Sequence, residues 1–321
     1  MVLIISTDFD QNTTTVINWL IFSKIPFIRI NENDYLEDIL FRDDDIIIKI
    51  KGEDIYVNKI NSCWYRRGGL YFSNTNFVIT DTLISQKFTE DLNKFKKREI
   101  GKCIEYIYSF LSSLKYSLGN FYNTDINKLW ALKCAKDVGL ETPNTLITNN
   151  KNEILDFCQK MNDIITKPIS EVANFSNNEN KELRLYTKKL TPGNINHLNF
   201  FYSKVQQEII KKYELRSFFI DKKLYTMAIF SQKDNKTKID FRNYNKLNPN
   251  RNVPFKLPDA IEDKLLELMD KLNLKTGSID LIYGIDRKYY FLEINPVGQF
   301  GMTSYPCNYY LEKIVANYLN T

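Results

Sequence analysis

A mixed α/β chain of more than one domain, with an antiparallel sheet near its C-terminal end, is predicted by three features of the sequence. It opens as strand, helix, strand; a proline-free stretch rich in Lys, Glu and Leu follows; and the second half carries a succession of β-branched runs ending in a long hairpin. With 321 residues, 43% hydrophobic and 14% aromatic, the chain can bury a substantial core.

The elements follow in order. "VLIIST" is a short β-branched run, "TTVINWLIFSK" has the pattern of a helix and "PFIRI" that of a second strand. "DDDIIIKIKGEDIYVNKI" predicts a hairpin through "KGED", and "SCWYRRGG" a strand that ends in glycines. From about Ile84 to Leu118 the composition predicts one or two long helices ending near Gly119. "NTDINKLWALKCAKDVGLETPNTLI" supplies a capping residue, a helical face of Leu129, Leu132 and Ala135, a stop at Gly139 and an extended segment entered through Pro143. A second unit therefore starts at about Asn123. Strands are expected at "DIITKPI", "ELRLYT", "KVQQEII", "LRSFFI" and "LYTMAIF", and a helix at "PDAIEDKLLELMDKLN". The Asn-rich "ANFSNNENKE" has the composition of a mobile loop. No internal repeat is evident.

Composition excludes several functions. Lys+Arg 44 against Asp+Glu 39 gives a net charge of +5 with the signs mixed, so there is no basic arm for nucleic acid. No apolar run approaches the roughly 20 residues that span a bilayer, and "MVLIISTDFD" lacks the basic start and cleavage site of a signal peptide, so a cytoplasmic protein without a membrane partner is expected. Cys63, Cys103, Cys134, Cys158 and Cys307 form no CxxC pair and are expected to be reduced core thiols. His197, the single histidine, lies in the loop-like "TPGNINHLNF", which largely excludes histidine-based acid/base chemistry.

The stretch "SIDLIYGIDRKYYFLEINP", Ser278 to Pro296, carries the sharpest signal. Folding it about Asp286 and Arg287 pairs Ile279 with Ile294, Leu281 with Leu292 and Tyr283 with Tyr290. The same register sets Asp280 opposite Glu293, with Asn295 on the face of Glu293. Two carboxylates this close repel unless a positive group lies between them, and magnesium is the natural oxygen-seeking candidate. Spacing alone leaves a simple polar face equally open.

Elsewhere, "IITKPI" ends a strand at Lys167, and the following proline leaves the ammonium at a sheet edge, where it suits a phosphate or is merely solvated. In "VQQEIIKKYELR", backbone groups around Glu208 to Ile210 can bind a base and Glu214 can accept from ribose hydroxyls. Arg216, and Arg242 in "KIDFRNY", can fork onto phosphoryl or carboxylate oxygens, or form surface ion pairs with Glu214 or Asp240.

Taken in order, "NKLWALKCAKDVGLETPNT", "IITKP", "QQEIIKKYELR" and an Asp followed thirteen residues later by "EINP" resemble the ATP-grasp ligases over roughly the last 200 residues. The resemblance implies an ATP-grasp fold: an N-terminal pre-ATP-grasp α/β domain at 1–122 with a long helical segment, a small central domain at 123–205 and a C-terminal antiparallel-sheet domain at 206–321. It implies ATP and Mg2+, with Asp280, Glu293 and Asn295 holding the metal, Lys128 and Lys167 on the phosphates, Gln207, Glu208 and Ile210 on adenine, and Glu214 on ribose. Lys167, Arg216 and Arg242 would be catalytic. "KPISEVANFSNNENKE" departs from the family in lacking a glycine-rich phosphate loop.

"SCWYRRGG" and "KIDFRNYN" resemble the graspetide synthetases, especially the grasp-with-spasm subgroup, as does the long helical stretch before Asn123. That resemblance implies a homodimer that binds a ribosomal precursor peptide, leader plus core, with Tyr65, Arg66, Arg67 and Asp240 toward substrate. It implies activation of Asp/Glu side chains as acyl phosphates and their linkage to Ser/Thr hydroxyls or Lys amines. The alternatives are an ATP-grasp ligase that joins free amino acids or extends a protein tail and, more remotely, a nonenzymatic basic module for nucleic acid or peptide.

Overall fold

Five consecutive buried residues, Val2–Ser6, form β1, covered on both faces as a parallel strand must be. The computed structural model to which β1 belongs describes residues 1–73, 85–122, 124–170, 174–176, 182–184, 187–232 and 249–320. They fall into two compact units, Met1–Thr124 with Tyr310–Thr321, and Asp125–Tyr309.

In the first unit, β1 is followed by α1 (Gln11–Phe22), whose N-terminus is capped by Asp10 accepting from Thr13 N at 2.8 Å. Then come β2 (Phe27–Asn31), β3 (Leu36–Arg42), β4 (Asp45–Ile50), β5 (Glu53–Tyr56) and β6 (Ser62–Tyr65). β1 is central and pairs in parallel with both β2 and β6; β3, β4 and β5 form a separate antiparallel sheet. β4 and β5 are the expected "KGED" hairpin. The long helix is one element, α2 (Gln86–Ser113), which buries Ile107 and Leu111 against Leu3, Ile5, Ile48 and Leu70. After β6 the chain turns at Gly68, whose φ is +75°, and a Cβ there would lie 2.7 Å from the Ser6 carbonyl oxygen.

The second unit holds α3 (Lys128–Asp137), β7 (Thr145–Thr148), α4 (Lys151–Met161), β8 (Ile164–Lys167), β9 (Asn174–Ser176), β10 (Glu182–Arg184), β11 (Lys188–Leu190), the short α5 (Pro192–Ile195) and β12 (Ser203–Gln207). β13 (Lys211–Ile220), β14 (Lys223–Phe230), β15 (Arg251–Phe255), α6 (Asp259–Lys271), β16 (Thr276–Gly284), β17 (Tyr289–Asn295) and α7 (Gly301–Cys307) complete it. Asn127 caps α3 as predicted, its Oδ1 accepting from Leu129 N at 2.9 Å. Part of "ANFSNNENKE", expected as loop, is strand: β9 pairs with β10.

Two antiparallel sheets shape this unit, a smaller one in the order β11-β8-β12-β7 and a larger one in the order β15-β14-β13-β16-β17. Alternation gives each sheet a core face and a second face. On the smaller sheet Ile164, Leu190 and Val205 pack with Ile154, Cys158 and Ile195 from α4 and α5. On the larger one Leu215, Phe219, Ile279 and Leu281 pack beneath α3 and α6. The last helix, α8 (Leu311–Leu319), belongs to the first unit, where it lies beside α1 and its Leu319 carbonyl accepts from Ser62 Oγ at 2.6 Å.

Cys63, Cys134, Cys158 and Cys307 are buried free thiols, as expected; Cys103 is half-exposed, one turn before Ile107 on the same face of α2, where the buried stripe has not yet begun. No described helix is long and apolar enough to cross a membrane.

Candidate active site

The second faces of the two sheets line a cleft that is open to solvent. Ile165, Lys167 and Gln206 line it from the smaller sheet; Glu214, Asp280 and Glu293 line it from the larger. Pro143 and Ile282 add apolar wall.

The hairpin that presents the acids departs from its predicted register beyond Asp280. Ile279 faces Ile294 and Asp280 faces Glu293 as expected, but Leu281 faces Phe291, Ile282 faces Tyr290 and Tyr283 faces Tyr289. The expected pairs Leu281 with Leu292 and Tyr283 with Tyr290 do not form. The reason is the turn. Gly284 N donates to the Lys288 carbonyl, leaving three residues between them with Arg287 at φ 65°, one more than a two-residue turn needs. A bulge at Leu292 absorbs the difference and restores the pairing at Glu293, so successive side chains Leu292 and Glu293 both line the cleft.

The carboxylates are held apart by cations on neighbouring elements. Asp280 is the cross-strand partner of Arg216, whose Nη1 donates to Oδ1 at 2.8 Å and Oδ2 at 3.1 Å; Arg216 Nη2 donates to the Gln299 carbonyl at 3.4 Å. Glu293 accepts from Lys128, the first residue of α3, at 3.2 Å. Arg216 is 6% exposed, so among the described residues its ion pair is the buried one with Asp280 and not a surface pair with Glu214. Glu214 is buried and pairs with Lys211 three residues earlier, and its Oε1 accepts from Ser231 Oγ at 3.2 Å. Asn295 lies opposite Ser278, and its Oδ1 accepts from Val297 N at 3.0 Å.

Among the described residues no group of three or more His, Cys, Asp or Glu side chains is placed to hold a metal. Two opposed carboxylates and one amide oxygen fit magnesium only if phosphate oxygens or waters complete its shell, which is how that ion binds nucleotides. The donor set suits the metal on those terms.

Other expected residues fall as follows. Lys167 ends β8, but β8 is flanked by β11 and β12, so the lysine stands at a strand end inside the sheet and not at its edge. Gln207 Oε1 accepts from Asn144 at 3.0 Å, and the Glu208 carboxylate lies 3.1 Å from Lys189. Glu208 N donates to the Asp163 carbonyl and the Ile210 carbonyl accepts from Ile285 N, both at 2.9 Å. The Glu208 carbonyl and Ile210 N–H have no partner among the described residues, leaving an acceptor and a donor two residues apart, the pair that the amino edge of adenine requires. Arg242 and Asp240 lie outside the described residues.

In the first unit Arg66, expected to face substrate, is 1% exposed, with Nε 3.4 Å from Asp10 Oδ2. Burial draws its pKa down to about 10 and the Asp10 charge opposes that fall, so it is charged at neutral pH and holds the N-terminus of α1. Arg67 is exposed, and the half-buried Tyr65 donates to the Gly68 carbonyl at 2.9 Å with its ring 4.0 Å from that of Phe121.

Sequence reasoning missed Lys204. It lies on β12 directly opposite Lys167 and is 1% exposed. A lone lysine in "SKVQQ" carries no signal of burial, and only the pairing of β12 with β8 exposes it.

No protein-family model and no curated protein matches the chain. Solved structures do. The macrocyclase MdnC of Microcystis aeruginosa, bound with precursor peptide MdnA, is 25% identical with a TM-score of 0.75, covering 100% of both chains. A RiPP-associated ATP-grasp ligase of Chryseobacterium gregarium, in complex with ADP and a leader and core peptide, is 24% identical with a TM-score of 0.76, over 99% of this chain and 96% of that one. The ATP-grasp ligase PsnB, complexed with a minimal precursor variant, Mg and ADP, is 16% identical with a TM-score of 0.71, over 99% and 97%. The chain has the ATP-grasp fold. Its likeness to these ligases extends through the N-terminal unit as well as the two sheets that line the cleft.

Proposed function

We propose that the chain is an ATP-dependent ligase that cross-links side chains within a ribosomally made precursor peptide. The observation that carries the reading is the Asp280–Glu293 pair sharing one solvent-open cleft with Lys167, on a chain alike over its full length to a peptide-bound macrocyclase.

In this reading ATP transfers its γ-phosphoryl group to an Asp or Glu carboxylate of the peptide, releasing ADP. A Ser/Thr hydroxyl or Lys amine then attacks the acyl carbon, phosphate leaves, and an ester or amide remains. Lys128 and Lys167 hold the phosphates, the Glu208 carbonyl and Ile210 N–H read adenine, and Glu214 accepts from ribose. Asp280, Glu293 and Asn295 would hold Mg2+, which neutralises phosphate charge during transfer. Arg216 steadies Asp280 through two hydrogen bonds and adds positive charge beside the reacting groups, with Arg242 proposed for the same task. No protein nucleophile is needed, because positioning and electrostatics supply most phosphoryl-transfer catalysis. Arg67 and Tyr65 are proposed to meet the peptide; the burial of Arg66 supports a supporting part for it. The reading includes a cytoplasmic homodimer, whose stoichiometry mass photometry checks.

The test is mass spectrometry of a precursor peptide encoded beside the gene after incubation with the protein, ATP and magnesium. Loss of one water per link is expected. Modification of free amino acids with the peptide left intact would instead favour a ligase of small substrates.

A further inference from the structure

Resting on the nucleotide reading, we propose that Lys204 is a third phosphate-binding lysine of the cleft, acting with Lys128 and Lys167. The argument begins with strand alternation. Val205 packs into the core beneath α4, so its neighbours Lys204 and Gln206 point to the other face of the smaller sheet, and Gln206 lines the cleft. Lys204 is the cross-strand partner of Lys167, which also lines the cleft. Directly opposed side chains on neighbouring strands have Cβ atoms about 5 Å apart, and like charges in that position destabilise a sheet.

Among the described residues the Lys204 ammonium is buried without a hydrogen-bond partner. The carboxylate that acts on it is Glu293, which already accepts from Lys128. Burial, aided by Lys167 and Lys128 and opposed by Glu293, draws the Lys204 pKa down to about 7, so its ammonium is poorly supported in the free protein. A buried, unpaired lysine beside two others is costly unless an anion with several oxygens accepts from it, and a polyphosphate chain is such an anion. Apolar residues at 204 would pack as well against Ile147, its partner on β7, without that cost.

The experiment is calorimetric titration of the full chain with magnesium and AMPPNP, and separately with AMP, for the wild type, Lys204→Met and Lys204→Gln. A lost charge-assisted contact is expected to weaken AMPPNP by on the order of tenfold in both variants, with AMP changed much less. Affinity for AMPPNP within twofold of the wild type, in either variant that folds, would overturn the proposal, as would equal losses for AMPPNP and AMP. A wild type that binds neither ligand would overturn the nucleotide reading itself, an outcome distinct from a wild type that binds and variants that match it.

Discussion

Removing the Asp10 carboxylate tests whether Arg66 serves the fold or a ligand. Asp10 caps α1 through Thr13 N at 2.8 Å, and its second oxygen lies 3.4 Å from Arg66 Nε. Burial pushes its pKa up, but the Arg66 charge and the hydrogen bonds from Thr13 outweigh that and hold it below the usual value. Asp10→Asn keeps a capping oxygen and removes the negative charge beside the buried Arg66 guanidinium, at a cost of about 3 kcal/mol. Asp10→Ala also loses the cap, adding about 1 kcal/mol. Urea titration of proteins that also carry Trp130→Phe makes Trp19 and Trp64, both in the first unit, the fluorescent reporters. Because the folded-state pKa of Asp10 is lowered, its contribution is present at neutral pH and is lost as the pH falls below the ordinary 3.8 through the folded value. A loss under about 1 kcal/mol in Asp10→Asn at pH 7, or one that persists unchanged at acid pH, would refute the reasoning and free Arg66 for a substrate.

Asp280→Asn and Glu293→Gln should leave folded proteins whose ATP consumption falls at least about a hundredfold, since each removes a charge at the phosphates; turnover near wild type in both would defeat the metal assignment. Arg67→Ala should leave the first unit's urea transition within about 0.5 kcal/mol of wild type and lower peptide modification more than nucleotide affinity, measured side by side. Lys204→Met should raise the melting temperature of the ligand-free protein, and by more at pH 6 than at pH 10. The unfolded chain carries the Lys204 proton up to about 10.4, whereas the folded protein releases it near 7, so the penalty is full below 7 and fades as the pH rises through that window. An increase in melting temperature independent of pH would contradict this charge-based account.

Much of the fold was legible because local signals agreed with tertiary demands. Asn127 before "KLWALKCAKD", the apolar run at β1 and the hairpin acids each announce an element whose burial matches its pattern. β3 did not announce itself, since "LEDILFR" is largely exposed and its acidic residues blur the alternation. α4 left a trace that went unused: Asn150 caps it and Ile154 and Cys158 share its buried side. The register past Asp280 was out of reach, because a turn lengthened by one residue and a bulge at Leu292 cancel and leave no mark in composition. At the site, sequence named the acids and Lys167. The burial of Arg66, the Arg216–Asp280 bond and Lys204 depend on strand pairing across long separations, which residue spacing within one segment does not encode.

The most direct measurement is the anomalous signal of manganese in crystals grown with AMPPNP and Mn2+ in place of Mg2+. The account predicts a manganese peak coordinated by Asp280 and Glu293 on one side and by phosphate oxygens on the other, with adenine against Glu208 to Ile210. Nucleotide bound elsewhere, or bound in this cleft with no metal at those two acids, would contradict it.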